Sequence, residues 1–124
     1  MITINTLPQA TQQQVFDQIA LHMLTQNERS TADKGGCAYR GTGGLMCAAG
    51  CLISDDEYTP EMDTQNMTWA MIVDDGLATS DHFELISSLQ HLHDERLPIY
   101  WRASLRRIAV GHELSMDVIE NFPM

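Results

Sequence analysis

Positive charge is scarce in this sequence, and one long interval has none. Seven Lys and Arg stand against seventeen Asp and Glu among the 124 residues, so the formal net charge is −10. Neither Lys nor Arg occurs between Arg40 and Arg96. A field this negative repels phosphate, so we expect no direct binding of nucleic acid. The same field would attract a basic partner, although acidic residues also keep small proteins in solution.

Long apolar runs are missing as well. No stretch approaches the roughly 20 apolar residues that a membrane span requires. The N-terminus, MITINTLPQATQQQ, has neither the basic nor the apolar region of a secretory signal. Three cysteines are an odd number and too few for a disulfide scaffold. We therefore expect a cytoplasmic protein with free thiols and no membrane partner.

Apolar residues are nevertheless frequent enough, at 44% of the chain, to build a core. Their spacing predicts a mainly α fold, a compact single domain over residues 1–124 with five to six helices. Thr11 and Gln14 form a capping-box pattern, and the helix that they start should end near Gln26. Further helices are predicted over 68–74, from Thr79 or Ser80 onward, over 99–109, and from about 115.

The segment between the first two predicted helices is rich in glycine and small residues. Residues 37–46 predict a possible small β-hairpin, because the Gly-Thr-Gly-Gly sequence at 41–44 supplies a turn. Residues 47–53 are small and apolar, which favours a buried helix. His22 lies off the apolar face of its helix and is predicted to face solvent. For Arg40, the last cation before the acidic interval, we expect a buried carboxylate partner.

Three cysteines in this segment raise the question of a metal site. Cys37, Cys47 and Cys51 follow a C-x9-C-x3-C spacing, which matches no standard zinc motif. Their Ala, Gly and Leu neighbours suit buried thiols, and the acid that follows disfavours a reactive one. The glycines are not followed by the lysine that a Walker A phosphate loop requires. We therefore expect no cofactor and no metal, and these three cysteines are the remaining metal candidates.

A small-ligand or metal-binding function is the alternative that the residues leave open. It would use the loop of residues 37–51 with Tyr39, Arg40, His93 and Asp94, provided that these converge in one pocket. His93 followed by Asp94 is typical of a ligand with its orienting carboxylate. A histidine at such a place more often interacts with the last carbonyls of a helix.

The stretch from residue 37 to 58, CAYRGTGGLMCAAGCLISDDEY, and the TPEM that follows resemble a group of small uncharacterised phage and bacterial proteins. That group shares an arrangement of the kind C-x-Y-R-G…G-L-x-C-A-x-G-x-L-I-x-D-x-x-Y…E-M, and a later L-Q-x-x-H-D segment that SLQHLHD resembles. This chain has Ser54 where the group has Pro, and a longer tail from Gly111. The group has no established activity, so the resemblance implies a phage or prophage context and no catalytic residue.

Charge and resemblance together favour a non-enzymatic role. We expect a phage-encoded modulator or inhibitor of a host nucleic-acid-handling or defence complex, which it would engage in the host cytoplasm by protein–protein contact. The chain would present an acidic surface to a basic groove of that host protein and so compete with nucleic acid. The acidic residues expected to make the contact are Asp55, Asp56, Glu57, Glu61, Asp63, Asp74 and Asp75.

Overall fold

The computed structural model describes residues 1–33 and 35–123. This part of the chain forms six α-helices: α1 (Gln12–Gln26), α2 (Glu61–Thr64), α3 (Trp69–Asp74), α4 (Phe83–Glu95), α5 (Trp101–Gly111) and α6 (Asp117–Glu120). It also forms four short 3-10 helices, at Ile4–Gln9, Thr42–Gly44, Ala49–Leu52 and Pro98–Tyr100. The prediction of a mainly α fold is confirmed.

Helix α1 begins and ends where the local sequence predicts. The Thr11 side chain accepts a hydrogen bond from the backbone N–H of Gln14, and the Gln14 side chain accepts one from the backbone of Thr11. This capping box satisfies two backbone donors that the helix itself leaves without acceptors. Asn27 ends the helix in the left-handed conformation, with φ of 52°.

The core lies where α1, α4 and α5 pack against one another. Its largest fully buried side chains include Phe16 and Ile19 from α1, Leu89 from α4, and Trp101 from α5. Helix α3 packs on α4, and α6 packs against α1 and α5. Burial of each such side chain contributes about 1.5–3 kcal/mol to folding. This three-helix centre is therefore the scaffold that holds the loops.

Two predicted helix starts are displaced by a few residues. Helix α4 begins after His82 because the Thr79 hydroxyl binds the Asp81 carboxylate instead of capping the helix. Helix α5 begins at Trp101, since Pro98 starts a separate 3-10 helix. Ile99, predicted on the apolar face of α5, lies in that short helix and is 81% exposed.

The predicted β-hairpin at 37–46 is wrong. The pairing found in the described residues is one isolated bridge between Thr31 and Cys37. Side chains from other elements bind the backbone of this segment instead. The Asp63 carboxylate accepts hydrogen bonds from the N–H groups of Tyr39 and Arg40, and the Gln26 side chain accepts one from the N–H group of Met46. Because side chains accept hydrogen bonds from these backbone N–H groups, the segment does not need a partner strand to pair with them.

The predicted buried helix at 47–53 is a single 3-10 turn, Ala49–Leu52. Small residues allow close backbone approach there, as expected. A Cβ added to Gly50 would lie 2.7 Å from the carbonyl oxygen of Tyr39, much closer than van der Waals contact allows. Glycine at this position therefore lets the turn pack directly on the loop that carries Tyr39 and Arg40.

Candidate functional site

The seven acidic residues predicted to form a partner surface divide into two groups. Five are exposed: Asp55, Asp56, Glu61, Asp74 and Asp75. The other two, Glu57 and Asp63, are partly buried and are hydrogen-bonded within the protein. The distinction matters because only the first group is free to meet a partner without disturbing the fold.

Asp63 joins α2 to the loop of residues 37–46. Its carboxylate accepts the backbone N–H of Tyr39 at 2.7 Å, the backbone N–H of Arg40 at 3.1 Å and the Tyr58 hydroxyl at 2.6 Å. Burial raises the pKa of Tyr58 to about 12, and the hydrogen bond to Asp63 adds to this effect. Asp63 therefore serves as an internal acceptor, a role that its sequence neighbours do not indicate.

Glu57 holds the N-terminal segment against the acidic loop. Its two carboxylate oxygens accept the backbone N–H groups of Ile4, Asn5 and Ser54 at 2.9–3.3 Å. Burial acts to raise the pKa of Glu57, but the backbone hydrogen bonds from Ser54 and Asn5 outweigh it and hold the pKa below its usual range. The S-x-x-E spacing from Ser54 to Glu57 is a sequence signal for the hydrogen bond between the Ser54 backbone N–H and the Glu57 carboxylate.

The exposed acids have few opposite charges near them. Asp55 lies 3.4 Å from an Arg40 nitrogen, and its side chain remains fully exposed. Asp56, Glu61, Asp74 and Asp75 form no salt bridge within residues 1–33 and 35–123. Their negative charge is thus directed at solvent and is available to a partner.

Arg40 stabilises the turn at 49–53 from outside. Its guanidinium donates to the carbonyl oxygens of Gly50 at 3.1 Å and Ile53 at 2.5 Å, and it lies 4.9 Å from the centre of the Tyr58 ring. The expected buried carboxylate partner is not found: the partly buried Asp63 accepts the backbone N–H of Arg40, and the carboxylate that the guanidinium reaches is that of the exposed Asp55. Arg40 is thus a structural residue that satisfies backbone carbonyls.

The residues predicted for a ligand pocket do not share one site. Tyr39 and Asp94 both line a cavity of about 530 Å³ between the 37–39 loop, α2, α3 and α4, whereas Arg40 and His93 are not among its lining residues. His93 is fully buried, and its ring stacks near Trp101 with centroids 5.4 Å apart. The proposed convergence of Arg40 with His93 is therefore not found.

Cys37, His93 and Asp94 do come together, with their potential ligand atoms within 4.8 Å of one another. The backbone N–H of Ser30 donates to His93 Nε2 at 3.2 Å, so that nitrogen carries no proton, and Nδ1–H donates to Asp94 at 2.8 Å. A metal ion on Nδ1 would shift the proton to Nε2, where it would face the Ser30 donor. The geometry fits a hydrogen-bond network that ties Ser30 and Cys37 to α4 better than it fits a metal centre.

All three cysteines are thiols whose burial works against ionisation. Burial raises the pKa of Cys37 to about 12, with a hydrogen bond to Asp94 adding to the effect, and it raises the pKa of Cys51 to about 12. The pKa of the fully buried Cys47 is raised as well. The three do not form a shared metal-ligating group among the described residues. They therefore fit the expectation of protonated, unreactive thiols.

Two further features were not predicted from the sequence. His22, expected to face solvent, is half-buried and lies with its Nε2 2.9 Å from the Met46 carbonyl oxygen, which also accepts a bond from Gln26. Burial lowers the pKa of His22. Trp69 helps to line the 530 Å³ cavity, and its buried indole N–H has no acceptor in the part of the chain that the structure describes.

None of the helices in the described residues is long and apolar enough to cross a bilayer. Comparisons of this chain with protein-family models, with curated protein sequences and with solved structures found no match.

Proposed function

We propose that this protein acts by protein–protein contact, presenting the exposed acids of residues 41–95 to a basic groove on its partner. The partner class is a nucleic-acid-handling or defence complex whose groove binds phosphate, so the protein would compete with nucleic acid for it. A phage origin, a host target and a cytoplasmic site of action belong to the same proposal. They depend on the motif resemblance of residues 37–58.

The observation that carries the proposal is the lack of nearby cations around the exposed acids. The interval of residues 41–95 contains no Lys or Arg. Arg40, at its edge, directs its guanidinium mainly at backbone carbonyls. Of the eight exposed acids in this interval, only Asp55 forms a salt bridge within the described residues, so the field of the other seven extends into solvent.

The position of Asp74 and Asp75 strengthens this reading. Asp74 is the last residue of α3 and Asp75 is its C-cap. The C-terminal end of a helix carries partial negative charge, so a carboxylate there is destabilising by a few tenths of a kcal/mol. Adjacent like charges add to that cost. Stability of the fold therefore does not account for these two residues, and attraction of a cationic surface is the role that we propose for them.

A pull-down from bacterial lysate tests the proposal. The tagged full chain is compared with the double variant Asp55→Lys/Asp56→Lys. The control is Glu28→Lys/Glu113→Lys, which changes the net charge by the same amount at two residues outside the interval 41–95. All four are exposed side chains. Glu57 is left intact because its reversal would break the contacts with Ile4 and Asn5. Proteins retained at low salt are identified, and each is challenged with duplex DNA.

The proposal expects a partner that is lost at high salt, lost in the first variant, kept in the control and displaced by DNA. Retention of the same proteins by both variants would overturn the acidic-surface mechanism. A partner that DNA does not displace would support the contact but remove the competition with nucleic acid.

A further inference from the structure

The cavity of about 530 Å³ that Tyr39 and Asp94 help to line combines acidic and apolar side chains. Asp63, Asp94 and Glu95 contribute three carboxylates, and no Lys or Arg lines it. Met62, Met67 and Trp69 form an apolar part of the same wall. A cavity of this size falls in the range that binds small ligands, and this combination suits a molecule with a positive head and an apolar body.

The Asp94 carboxylate is held in its charged form by neutral donors. Burial acts to raise its pKa, but hydrogen bonds from His93, Cys37 and Gln90 outweigh burial and keep the pKa below its usual range. Asp63 likewise accepts bonds only from two backbone N–H groups and a hydroxyl. No Lys or Arg side chain is among these donors, and none lines the cavity, so no permanent positive charge offsets its carboxylates.

Trp69 provides a second, independent observation. Its side chain is 2% exposed, and the indole N–H is the one buried side-chain donor without an acceptor among the described residues. A buried donor that stays unpaired is unfavourable, because it has lost its hydrogen bonds to water. Trp69 also lines the cavity, so the signal of its indole N–H reports on binding there.

We infer that the cavity binds an organic cation with an apolar stem, of the ammonium or guanidinium type found in lysine and arginine side chains. The cation could come from a free amine or from a side chain of another protein. The exposed acids predicted to contact a partner (Asp55, Asp56, Glu61, Asp74 and Asp75) do not line the cavity, and Glu95 is the one exposed acid that does. The two proposals can therefore fail independently.

Titration of the full ¹⁵N-labelled chain, followed by NMR, tests the inference with N-acetyl-arginine methylamide. The matched control ligand is N-acetyl-citrulline methylamide, which has nearly the same shape and no charge. The protein has two tryptophans, so their indole signals provide an internal comparison. The Trp101 indole donates to the Arg96 carbonyl oxygen at 3.0 Å and does not line the cavity. The Trp69 signal should move with the arginine ligand, and the Trp101 signal should stay in place.

Two variants of cavity residues and one control variant locate the site without disturbing the His93–Asp94 network. Glu95→Gln removes one cavity carboxylate from an exposed side chain, and Glu84→Gln is its control on the same helix, outside the cavity. Loss of one such ion pair should weaken binding by about fivefold in the first variant and leave the second unchanged. Ala70→Leu fills the cavity without changing charge and should weaken binding further.

Agmatine, a free guanidinium amine without a carbonyl group, distinguishes the two sources. Binding of agmatine as tight as that of the arginine amide points to a free amine as the ligand, whereas clearly weaker binding points to a side chain of a partner. The inference is overturned if neither cation moves the Trp69 signal at about 10 mM. It is also overturned if citrulline binds equally, or if Glu84→Gln weakens binding as much as Glu95→Gln.

Discussion

Residues 41–95 carry eleven acidic residues without a Lys or Arg, whereas residues 96–124 carry four arginines with three acids. In the C-terminal region, arginine side chains bind backbone carbonyl oxygens and a carboxylate of the same protein. Arg102 donates to the carbonyl oxygens of Ile119 and Phe122, and Arg106 pairs with Glu120 at 2.8 Å. These contacts tie α6 to α5.

In the acidic region, the carboxylates with structural roles use neutral donors instead. Asp63 and Glu57 accept backbone N–H groups, and Asp94 accepts bonds from His93 and Gln90. The carboxylates of Asp56, Glu61, Asp74 and Asp75, by contrast, make no hydrogen bond within the described residues. The comparison teaches that the acids of one interval divide into those that hold the fold and those that remain exposed, and that hydrogen bonding within the protein separates the two groups.

Asp63→Ala should give the largest loss of stability. The change leaves the backbone N–H groups of Tyr39 and Arg40 without their acceptor, so we expect the free energy of unfolding to fall by about 3 kcal/mol. Urea unfolding measures it, with Asp56→Ala as the exposed control, which should stay within about 0.5 kcal/mol of the parent. Equal losses in both variants would remove the division between structural and exposed acids.

Arg40→Met should follow, with a loss of about 2 kcal/mol. The methionine keeps the apolar stem but cannot donate to the carbonyl oxygens of Gly50 and Ile53. Arg107→Met is the matched control, because Arg107 is exposed and makes no side-chain hydrogen bond within the described residues. If the two variants unfold at the same urea concentration, the role of Arg40 at the turn is refuted.

Arg102→Met should detach the end of the chain at a cost of about 1 kcal/mol. Loss of the bonds to Ile119 and Phe122 should speed amide hydrogen exchange in α6 while exchange in α4 stays unchanged. Unchanged exchange over residues 117–122 would show that apolar packing alone holds α6.

Stability should also fall in acid through Glu57. Its pKa in the folded state lies below the ordinary 4.5, so its contribution is complete above pH 4.5 and disappears as the pH falls through the lower folded value. Glu57→Gln should therefore flatten the dependence of thermal stability on pH in that range. A variant whose acid transition matches the parent would contradict this assignment.

The smallest expected effect concerns the exposed Arg106–Glu120 pair. The hydrogen bond from Arg106 holds the pKa of Glu120 below its usual range. Arg106→Ala should return that pKa toward 4.5 with little change in unfolding, since exposed pairs contribute little. A carboxyl-carbon NMR titration measures the shift, and a pKa that stays low would point to a different cause.

Features set by short-range patterns could be predicted from the sequence. The capping box of Thr11 and Gln14 spans three residues, and the apolar spacing after it predicts α1 through Gln26. The end of α3 at Asp74 follows equally local signals. Where both partners of a contact lie within one helical turn, the sequence contains the whole interaction.

Contacts between distant residues explain what was missed. Asp63 binds groups 23 and 24 residues away, and Glu57 reaches Ile4 across 53 residues, so neither role follows from neighbouring residues alone. The same holds for His22, which reaches Met46 across 24 residues. The cavity is likewise assembled from three separated segments, and therefore only the fold reveals that Asp63, Asp94 and Glu95 face it together.

Unfolding of Asp56→Asn/Asp74→Asn/Asp75→Asn at low and high salt tests the central claim most directly. If these carboxylates serve a partner and not the fold, neutralising them relieves repulsion, and the variant should be more stable than the parent at low salt by about 0.5 kcal/mol or more. The difference should shrink as salt screens the parent's charges. A variant that is less stable than the parent at low salt would contradict the account, because it would show that the exposed acids help to hold the fold.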